Sequence, residues 1–303
     1  MSHVSRRHDF CHIVMQGVPV DCIHICTTMK KILILCDGEH FPESTFHFIV
    51  RLNALSPVLL TGVFLPSVNY SDVMIYYLGG MAGPVYAPAN EDNAENTVIA
   101  ANMAKFKQLC EEKGIAYSIH NDVKGDIIEH LRRETRFADL VILNSDLFYS
   151  NLGQDGKTQY LNDTMHFSEC PVLLLPEDFH FPDNIILAYD GSASSVYAIR
   201  QFTYILPELT QLSSLLVYAT AKGDEIPDMA YIEELTSRHF KNLHFYKLDT
   251  DPKTYFGTWV SEQGNALVVS GAYGRSSLSE LFRGNFMEEV ISDHRLPMFV
   301  AHT

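Results

Sequence analysis

The sequence of 303 residues has no cysteine after position 170, no long apolar run and no cluster of basic residues. Its six cysteines stand at 11, 22, 26, 36, 110 and 170, without the spacing of a metal-binding motif. Disulfide bonds among these cysteines would leave the second half of the chain without any cross-link. We therefore expect reduced thiols and a cytoplasmic protein. No apolar run approaches the length that crosses a membrane, and no membrane partner is expected.

Positive charge is also scarce. The formal net charge is −15, and the acidic excess is spread along the chain instead of being confined to one segment. No basic stripe could neutralise a phosphate backbone, which excludes nucleic acid as an expected partner. The chain is 47% hydrophobic and long enough for two ordinary domains.

Motifs of catalysis are missing as well. The sequence contains neither the Gly-x-Ser-x-Gly turn of serine hydrolases nor the Gly-x4-Gly-Lys-Ser/Thr phosphate loop. Its 14 histidines are scattered, with no carboxylate between them at metal-ligand spacing. We therefore predict no catalytic residues and no metal site.

One pattern occurs twice. Residues 31–38 and 184–191 are each a short apolar strand that ends in Asp-Gly, and each is followed by an amphipathic helix and a second apolar strand. The apolar helix positions, spaced three and four apart, are Phe46, Ile49, Val50, Leu52 and Leu55 in the first copy and Val196, Ile199, Phe202, Ile205, Leu206 and Leu209 in the second.

The ends of the two copies match too. Residues 138–143 correspond to 265–270, and 170–175 correspond to 296–301, each an apolar strand. Strands that alternate with helices and are apolar on both faces indicate a parallel sheet covered on each side. The sequence therefore predicts an α/β fold made of two tandem copies.

The copies differ in length. The spacing from Asp37 to Asp190 exceeds the spacing from Pro171 to Pro297 by 27 residues, which places an insertion at 66–96 of the first copy. A loop of this length is a lid, an interface or a disordered excursion. We predict a first domain at 29–178 and a second at 179–303, packed as an intramolecular pseudo-dimer; a homodimer is left open.

The first 28 residues form no part of either copy. Residues 29–31 lead straight into a strand, as a natural start would. We interpret residues 1–28 as a disordered extension or an over-long start, with Met1 and Met29 as the two possible first residues.

Three glycines mark a candidate ligand site. Gly271 and Gly274 follow an apolar strand at 266–269, and Gly284 precedes a helical segment at 286–291. Glycine lets backbone amides approach an anion, and a helix N-terminus adds free N–H groups and a positive dipole end. The arrangement is typical of a phosphate cradle.

A strand ending in Asp, with Gly-x2-Gly-x9-Gly after the fourth strand, resembles the universal stress protein family. The order of elements matches over residues 29–303, so the chain is similar to a tandem universal stress protein. The resemblance implies two five-stranded parallel α/β sandwiches of the Rossmann-like, adenine-nucleotide alpha hydrolase-like type. It also implies ATP or a related adenine nucleotide, with or without Mg²⁺, as the ligand.

The resemblance assigns roles to residues of the second copy. Asp190 and Gly191 would lie near the nucleoside and Val217 near the base. The positions that would face the phosphates are Gly271, Gly274, Arg275, Gly284 and Asn285. Asn285 departs from the family pattern, which has Ser or Thr there, although Asn also caps helices well.

The first copy departs further. Residues 142–148 have no glycine pair, and Asp146 would repel a triphosphate at close range. We expect this half to be structural, with no nucleotide.

The residues leave simpler interpretations open. Gly-x-x-Gly is often only a tight turn, and Asp190 is a common turn former in Asp-Gly-Ser.

We predict a cytoplasmic stress-response or regulatory protein that binds an adenine nucleotide in its C-terminal domain without dedicated catalysis. The alternatives are a nucleotide-free module that dimerises or docks a partner, and a slow ATP hydrolase.

Overall fold

The computed structural model is a mixed α/β fold and describes residues 29–36, 41–65, 93–121, 127–144, 168–221, 224–249, 252–271 and 297–301. The strands are β1 (Lys30–Cys36), β2 (Val58–Phe64), β3 (Ala116–His120), β4 (Leu140–Asn144), β5 (Val172–Leu175), β6 (Asn184–Ala188), β7 (Ser213–Ala219), β8 (Asn242–Leu248), β9 (Ala266–Gly271) and β10 (Met298–Ala301). The helices are α1 (Glu43–Leu55), α2 (Asn93–Lys113), α3 (Ile127–Arg136), α4 (Ala193–Ile205), α5 (Met229–Thr236) and α6 (Pro252–Ser261), with a 3₁₀ turn at Leu209–Gln211.

The strands form one sheet in the order β3-β2-β1-β4-β5-β10-β9-β6-β7-β8. The two halves meet at β5 and β10, and from there each half has the same strand order toward its outer edge. That order is the fifth, fourth, first, second and third strand of the half, namely β5-β4-β1-β2-β3 and β10-β9-β6-β7-β8. Every strand pairing within a half is parallel, and only β5 and β10, which join the halves, run antiparallel. The expected fold class is confirmed.

Alternate strand residues point to opposite faces of the sheet, so each face has its own core. On β1, Ile32 and Ile34 belong to the cluster that includes residues of α1, α2, α4 and α5, whereas Leu33 and Leu35 belong to the cluster that includes residues of α3 and α6. Residues 32–36 are all buried, as expected for a parallel strand covered on both sides.

Helices α1 and α4 occupy equivalent places and bury their predicted faces. Phe46, Ile49 and Leu52 of α1 are buried, as are Ile199 and Phe202 of α4. The prediction was wrong at Leu55, the last residue of α1, which is 57% exposed, whereas Leu52 in the same turn is buried.

The link between the halves packs on α1. Phe48 stacks on Phe181 with ring centroids 5.4 Å apart, and the Arg51 guanidinium lies 4.6 Å from the centre of the Phe181 ring. Lys30 at the start of β1 forms an ion pair of 2.6 Å with Glu208, just after α4. Apolar, aromatic and ionic contacts thus join the halves in addition to the β5–β10 pairing.

Other expectations fall outside the described residues. The extension at 1–28 is not described, and of the insertion at 66–96 only the start of α2, at Asn93, is described. The proposed domain limits stay predictions. In the part of the chain that is described, no helix has the length and apolar character of a membrane span.

Candidate functional site

The candidate site lies where the strand order of the second half reverses. From β6 the chain moves outward to β7 and β8, and it then returns to β9 on the other side of β6. Strands β6 and β9 are parallel neighbours, so their carboxyl ends lie at the same edge of the sheet. In open parallel sheets, ligands bind in the crevice at such a reversal. Asp190 follows β6, and Gly271 ends β9.

Gly271 allows a helix N-terminus to approach this crevice. A Cβ at position 271 would lie 2.6 Å from the Ser194 carbonyl carbon and 2.7 Å from its carbonyl oxygen. Contacts this short do not occur for real side chains, so the first turn of α4 can pack on the end of β9 only if residue 271 is glycine. The glycine therefore sets the distance between helix and strand, a role that the sequence did not reveal.

Asp190 forms a turn. Its Oδ1 accepts a hydrogen bond of 2.9 Å from the Ser192 amide. Ser192 in turn caps α4, because its Oγ accepts a bond of 3.1 Å from the Ser195 amide. The turn interpretation of Asp190 thus accounts for its Oδ1 atom.

Gly191 is in the left-handed region, with φ of +79°. A Cβ there would lie 2.8 Å from Cβ of Pro227, in the segment that follows β7. Tyr189 fixes the same segment, because its hydroxyl donates a hydrogen bond of 2.9 Å to the Pro227 carbonyl. Glycine is required here by both conformation and space.

Val217 lies on β7, beside β6. Its side chain is 1% exposed and packs in the core of one sheet face, and its carbonyl accepts a bond of 3.0 Å from the Tyr189 amide. Any contact of Val217 with a base would therefore involve its main chain.

The structure brings together the four predicted positions that it describes, at or beside neighbouring strand ends: Asp190, Gly191, Val217 and Gly271. The other four positions lie outside the described residues: Gly274, Arg275, Gly284 and Asn285. Their roles remain predictions from the sequence.

Sequence reasoning missed Ser192, Ser194 and Pro227, which shape the same crevice. The two serines could have been predicted as part of a helix N-terminus, because the sequence Asp-Gly-Ser-Ala-Ser-Ser places cap-forming residues directly before a helical pattern. Pro227 lies 36 residues after Gly191 in the chain, and no local pattern links the two.

The first half is built differently at the equivalent place. Asn144 ends β4 where Gly271 ends β9, and its amide donates a hydrogen bond to the Glu177 carboxylate beyond β5. Pro42 precedes α1 and provides no side-chain cap, and the buried Thr45 hydroxyl has no hydrogen-bond partner. A side chain and a carboxylate thus stand where the second half has glycine.

A separate groove of 370 Å³ lies between α1 and the link that joins the halves. Its wall combines aromatic rings with both signs of charge, and its lining includes Glu43, His47, Arg51, Asp178 and Phe181. Glu43 is paired with Lys105, and Arg51 is stacked on Phe181. The contact between Arg51 and Phe181 makes the groove part of the packing of the link on α1.

Metal ligation has no support in the described ranges, where no group of three His, Cys, Asp or Glu side chains could hold an ion. The thiols of Cys110 and Cys170 are buried, and burial raises the pKa of each to about 12. A thiol that stays protonated at neutral pH is a poor nucleophile. The arrangement at the crevice suits binding through backbone amides and one carboxylate.

No protein-family model and no curated protein matches the sequence. Solved structures match the fold. A universal stress protein from Archaeoglobus fulgidus DSM 4304 is similar with a TM-score of 0.68 and 14% identity, over 90% of this chain and 96% of that one. The fold expected from the resemblance is thereby confirmed.

Two further structures extend this similarity beyond proteins described as stress proteins. A functionally unknown protein from Pseudomonas aeruginosa PAO1 has a TM-score of 0.56 and 13% identity, over 91% of this chain and 93% of that one. The cytoplasmic domain of a prokaryotic cation chloride cotransporter has a TM-score of 0.50 and 10% identity, over 90% and 95%. A similar architecture thus occurs in a universal stress protein and in the cytoplasmic domain of a cotransporter.

Proposed function

We propose that the chain is a stress-response or regulatory protein that holds an adenine nucleotide in the crevice of its second half. The observation that carries the proposal is the approach of α4 to Gly271. It places a helix N-terminus against the carboxyl end of β9, at the reversal of strand order. The positive end of the helix dipole makes such a place favourable for an anion.

The described residues divide the crevice into two ends. The β9 end has Gly271 and the α4 N-terminus, whereas the β6 end has the Asp190 carboxylate. We propose that the phosphates lie at the β9 end, with contacts from Gly274, Arg275, Gly284 and Asn285. The nucleoside then lies at the β6 end, beside Asp190, Gly191 and the main chain of Val217.

Binding without dedicated catalysis is the form of this proposal. The segment 271–285 contains two arginines but no lysine that could stabilise a transferring phosphoryl group. Mg²⁺ could accompany a triphosphate, with the phosphates and water as its ligands. Slow hydrolysis remains the alternative, and steady phosphate release that a change at Gly271 abolishes would favour it.

Isothermal titration of ATP, ADP and AMP into the full chain tests the proposal. We expect one ATP per chain, binding lost in Gly274→Asp, and binding kept in Gly153→Asp, which is the same change in the first half. Thermal unfolding of both variants checks that they are folded. No heat with any of the three nucleotides, or equal loss in both variants, contradicts the proposal.

A second candidate is a nucleotide-free regulatory module. Two observations favour it: Asp190 is used in a turn, and the same architecture serves as the cytoplasmic domain of a cotransporter. This candidate predicts that no nucleotide is released when the purified protein is acid-quenched and its supernatant is analysed by mass spectrometry. A released adenine nucleotide that is absent from Gly274→Asp rules it out.

A further inference from the structure

The segment at residues 224–228, which we call the strap, lies between β7 and α5 and reaches back to the end of β6. Strand β7 is the neighbour of β6 on the side away from β9. Pro227 of the strap packs against Gly191, because a Cβ at Gly191 would lie 2.8 Å from the Pro227 Cβ. The strap thus runs from β7 to Gly191, at the end of the crevice where we place the nucleoside.

Tyr189 fastens the strap to the sheet. Its side chain is 4% exposed, and its amide donates a hydrogen bond of 3.0 Å to the Val217 carbonyl on β7. Its hydroxyl donates a hydrogen bond of 2.9 Å to the Pro227 carbonyl. One buried residue directly before Asp190 therefore connects β6, β7 and the strap.

The other contacts of the strap are weak. Ile226 is half-buried against the core, whereas residues 224, 225 and 228 are exposed. Glu225 lies 3.9 Å from Lys247 on β8, but its side chain is 95% exposed, and such a pair contributes little. Within the described chain, no amide of residues 224–228 donates a hydrogen bond to a main-chain carbonyl. A segment with so few main-chain bonds opens more easily than the strands beneath it.

We infer that the strap is a gate over the nucleoside end of the crevice and that the Tyr189 hydroxyl holds it closed. This inference rests on the proposed function. In the closed position, Pro227 blocks the approach to Gly191 from the side on which a Cβ would stand. A nucleotide enters or leaves only while the strap is open, so both rates depend on the fraction of molecules with an open strap.

Tyr189→Phe tests the gate, because it removes the hydroxyl and keeps the buried ring. The net contribution of one hydrogen bond changes an opening equilibrium about two- to tenfold. We expect the association and dissociation rates of nucleotide each to rise by about this factor, with little change in affinity. Stopped-flow fluorescence on the full chain measures both rates with an ATP analogue labelled at its γ-phosphate, away from the strap.

Proteolysis measures opening without a nucleotide. A glutamate-specific protease can cleave after Glu225 when the strap leaves the sheet, and the cleavage rate then follows the open fraction if closing is fast. We expect cleavage about two- to tenfold faster in Tyr189→Phe. Pro227→Gly should act in the same direction, because it removes the ring that packs against Gly191. Thermal unfolding checks that both variants are folded.

Tyr117→Phe is the matched control. It removes a hydroxyl that donates a hydrogen bond of 3.0 Å to Glu111 in the first half, and it should leave cleavage and nucleotide rates unchanged. Cleavage that is equally fast in Tyr189→Phe, Pro227→Gly and the unchanged protein overturns the inference. ATP binding with unchanged rates in Tyr189→Phe leaves the proposed function standing and removes only the gate. If ATP gives no heat in calorimetry, the proposed function itself fails and this inference fails with it.

Discussion

At the scale of single residues, Gly271 is a position where a residue with a Cβ would collide with the backbone of α4. A Cβ there meets the carbonyl carbon and oxygen of Ser194 at 2.6 and 2.7 Å, and both atoms belong to the backbone. We expect Gly271→Ala to lower the free energy of unfolding by about 1–3 kcal/mol, because α4 must shift away from β9. Urea denaturation measures the change.

Ser194→Ala separates backbone from side-chain causes. It removes the Ser194 Oγ, which also lies 2.7 Å from the added Cβ, but leaves the carbonyl in place. The Gly271→Ala loss should therefore persist in the double variant. Full recovery there would show that the side chain, not the approach of the helix backbone, requires glycine.

Glu134 makes stability depend on pH. Its two carboxylate oxygens are each 2.9 Å from Nδ1 of His120, and the hydrogen bond from His120 lowers the pKa of Glu134 below its ordinary value of 4.5. A lowered pKa means that the ionised carboxylate stabilises the fold above pH 4.5, and that this contribution is lost as pH falls through the lowered value.

We expect Glu134→Gln to cost about 1–3 kcal/mol of unfolding free energy at pH 7. At pH values below the ordinary pKa of a carboxyl group, the difference in unfolding free energy between the variant and the unchanged protein should become smaller. Denaturation at a series of pH values provides the measurement. Glu129→Gln, an exposed position paired with Arg132 at 3.7 Å, should change little at any pH. A cost for Glu134→Gln that stays constant down to pH 3 would contradict the account.

Residue patterns predicted part of the site. Asp-Gly repeats and glycine spacing located Asp190, Gly191 and Gly271, because turn chemistry is local. They did not show that Ser194 contacts Gly271 or that Pro227 covers Gly191, since those residues are far apart in the chain. Contacts between distant segments depend on how helices pack on the sheet, and one sequence carries little information about that.

At the scale of elements, the two halves start their first helices differently. Ser192 caps α4 through its bond to the Ser195 amide, whereas Pro42 gives α1 no side-chain cap. We expect Ser192→Ala to cost about 1 kcal/mol in urea denaturation, because the Ser195 amide loses its partner. Ser213→Ala, at an exposed position that begins β7, should cost close to nothing. Equal losses in the two variants would show that the cap contributes nothing specific.

Elements with strong local patterns were predictable. The buried strands β1, β4, β6 and β9 are nearly continuous apolar runs, and the repeat identified β1 with β6 and β4 with β9 as equivalent strands. The outer strands β3 and β8 were not located along the chain. Their residues are mostly half-exposed, with sequences such as Ala-Tyr-Ser-Ile-His, so they lack the apolar run that marks a buried strand.

At the scale of the whole molecule, an ion pair fastens one half to the other. Lys30 and Glu208 have side chains only 16% and 14% exposed, and the second Glu208 oxygen is buried without a hydrogen-bond partner. Lys30→Ala would leave that carboxylate buried and unpaired. We expect a loss of about 1–3 kcal/mol in the free energy of unfolding, with part of it regained by adding Glu208→Gln.

Lys105→Ala provides the matched comparison. It breaks the pair with Glu43, whose side chains are 45% and 47% exposed, and should cost no more than about 1 kcal/mol. A Lys30→Ala loss as small as this one would contradict a role for the buried pair in joining the halves. The repeat predicted two similar halves, but it contained no information on which residues touch across them.

Amide hydrogen exchange with and without ATP, followed by mass spectrometry, tests the central claim most directly, because it locates the ligand in the full chain. We predict slower exchange on addition of ATP in residues 189–195 and 266–271, and no change at 41–46 and 140–144 in the first half. Protection in the first half alone, or equal protection in both, would contradict a nucleotide site built on Gly271 and the α4 N-terminus.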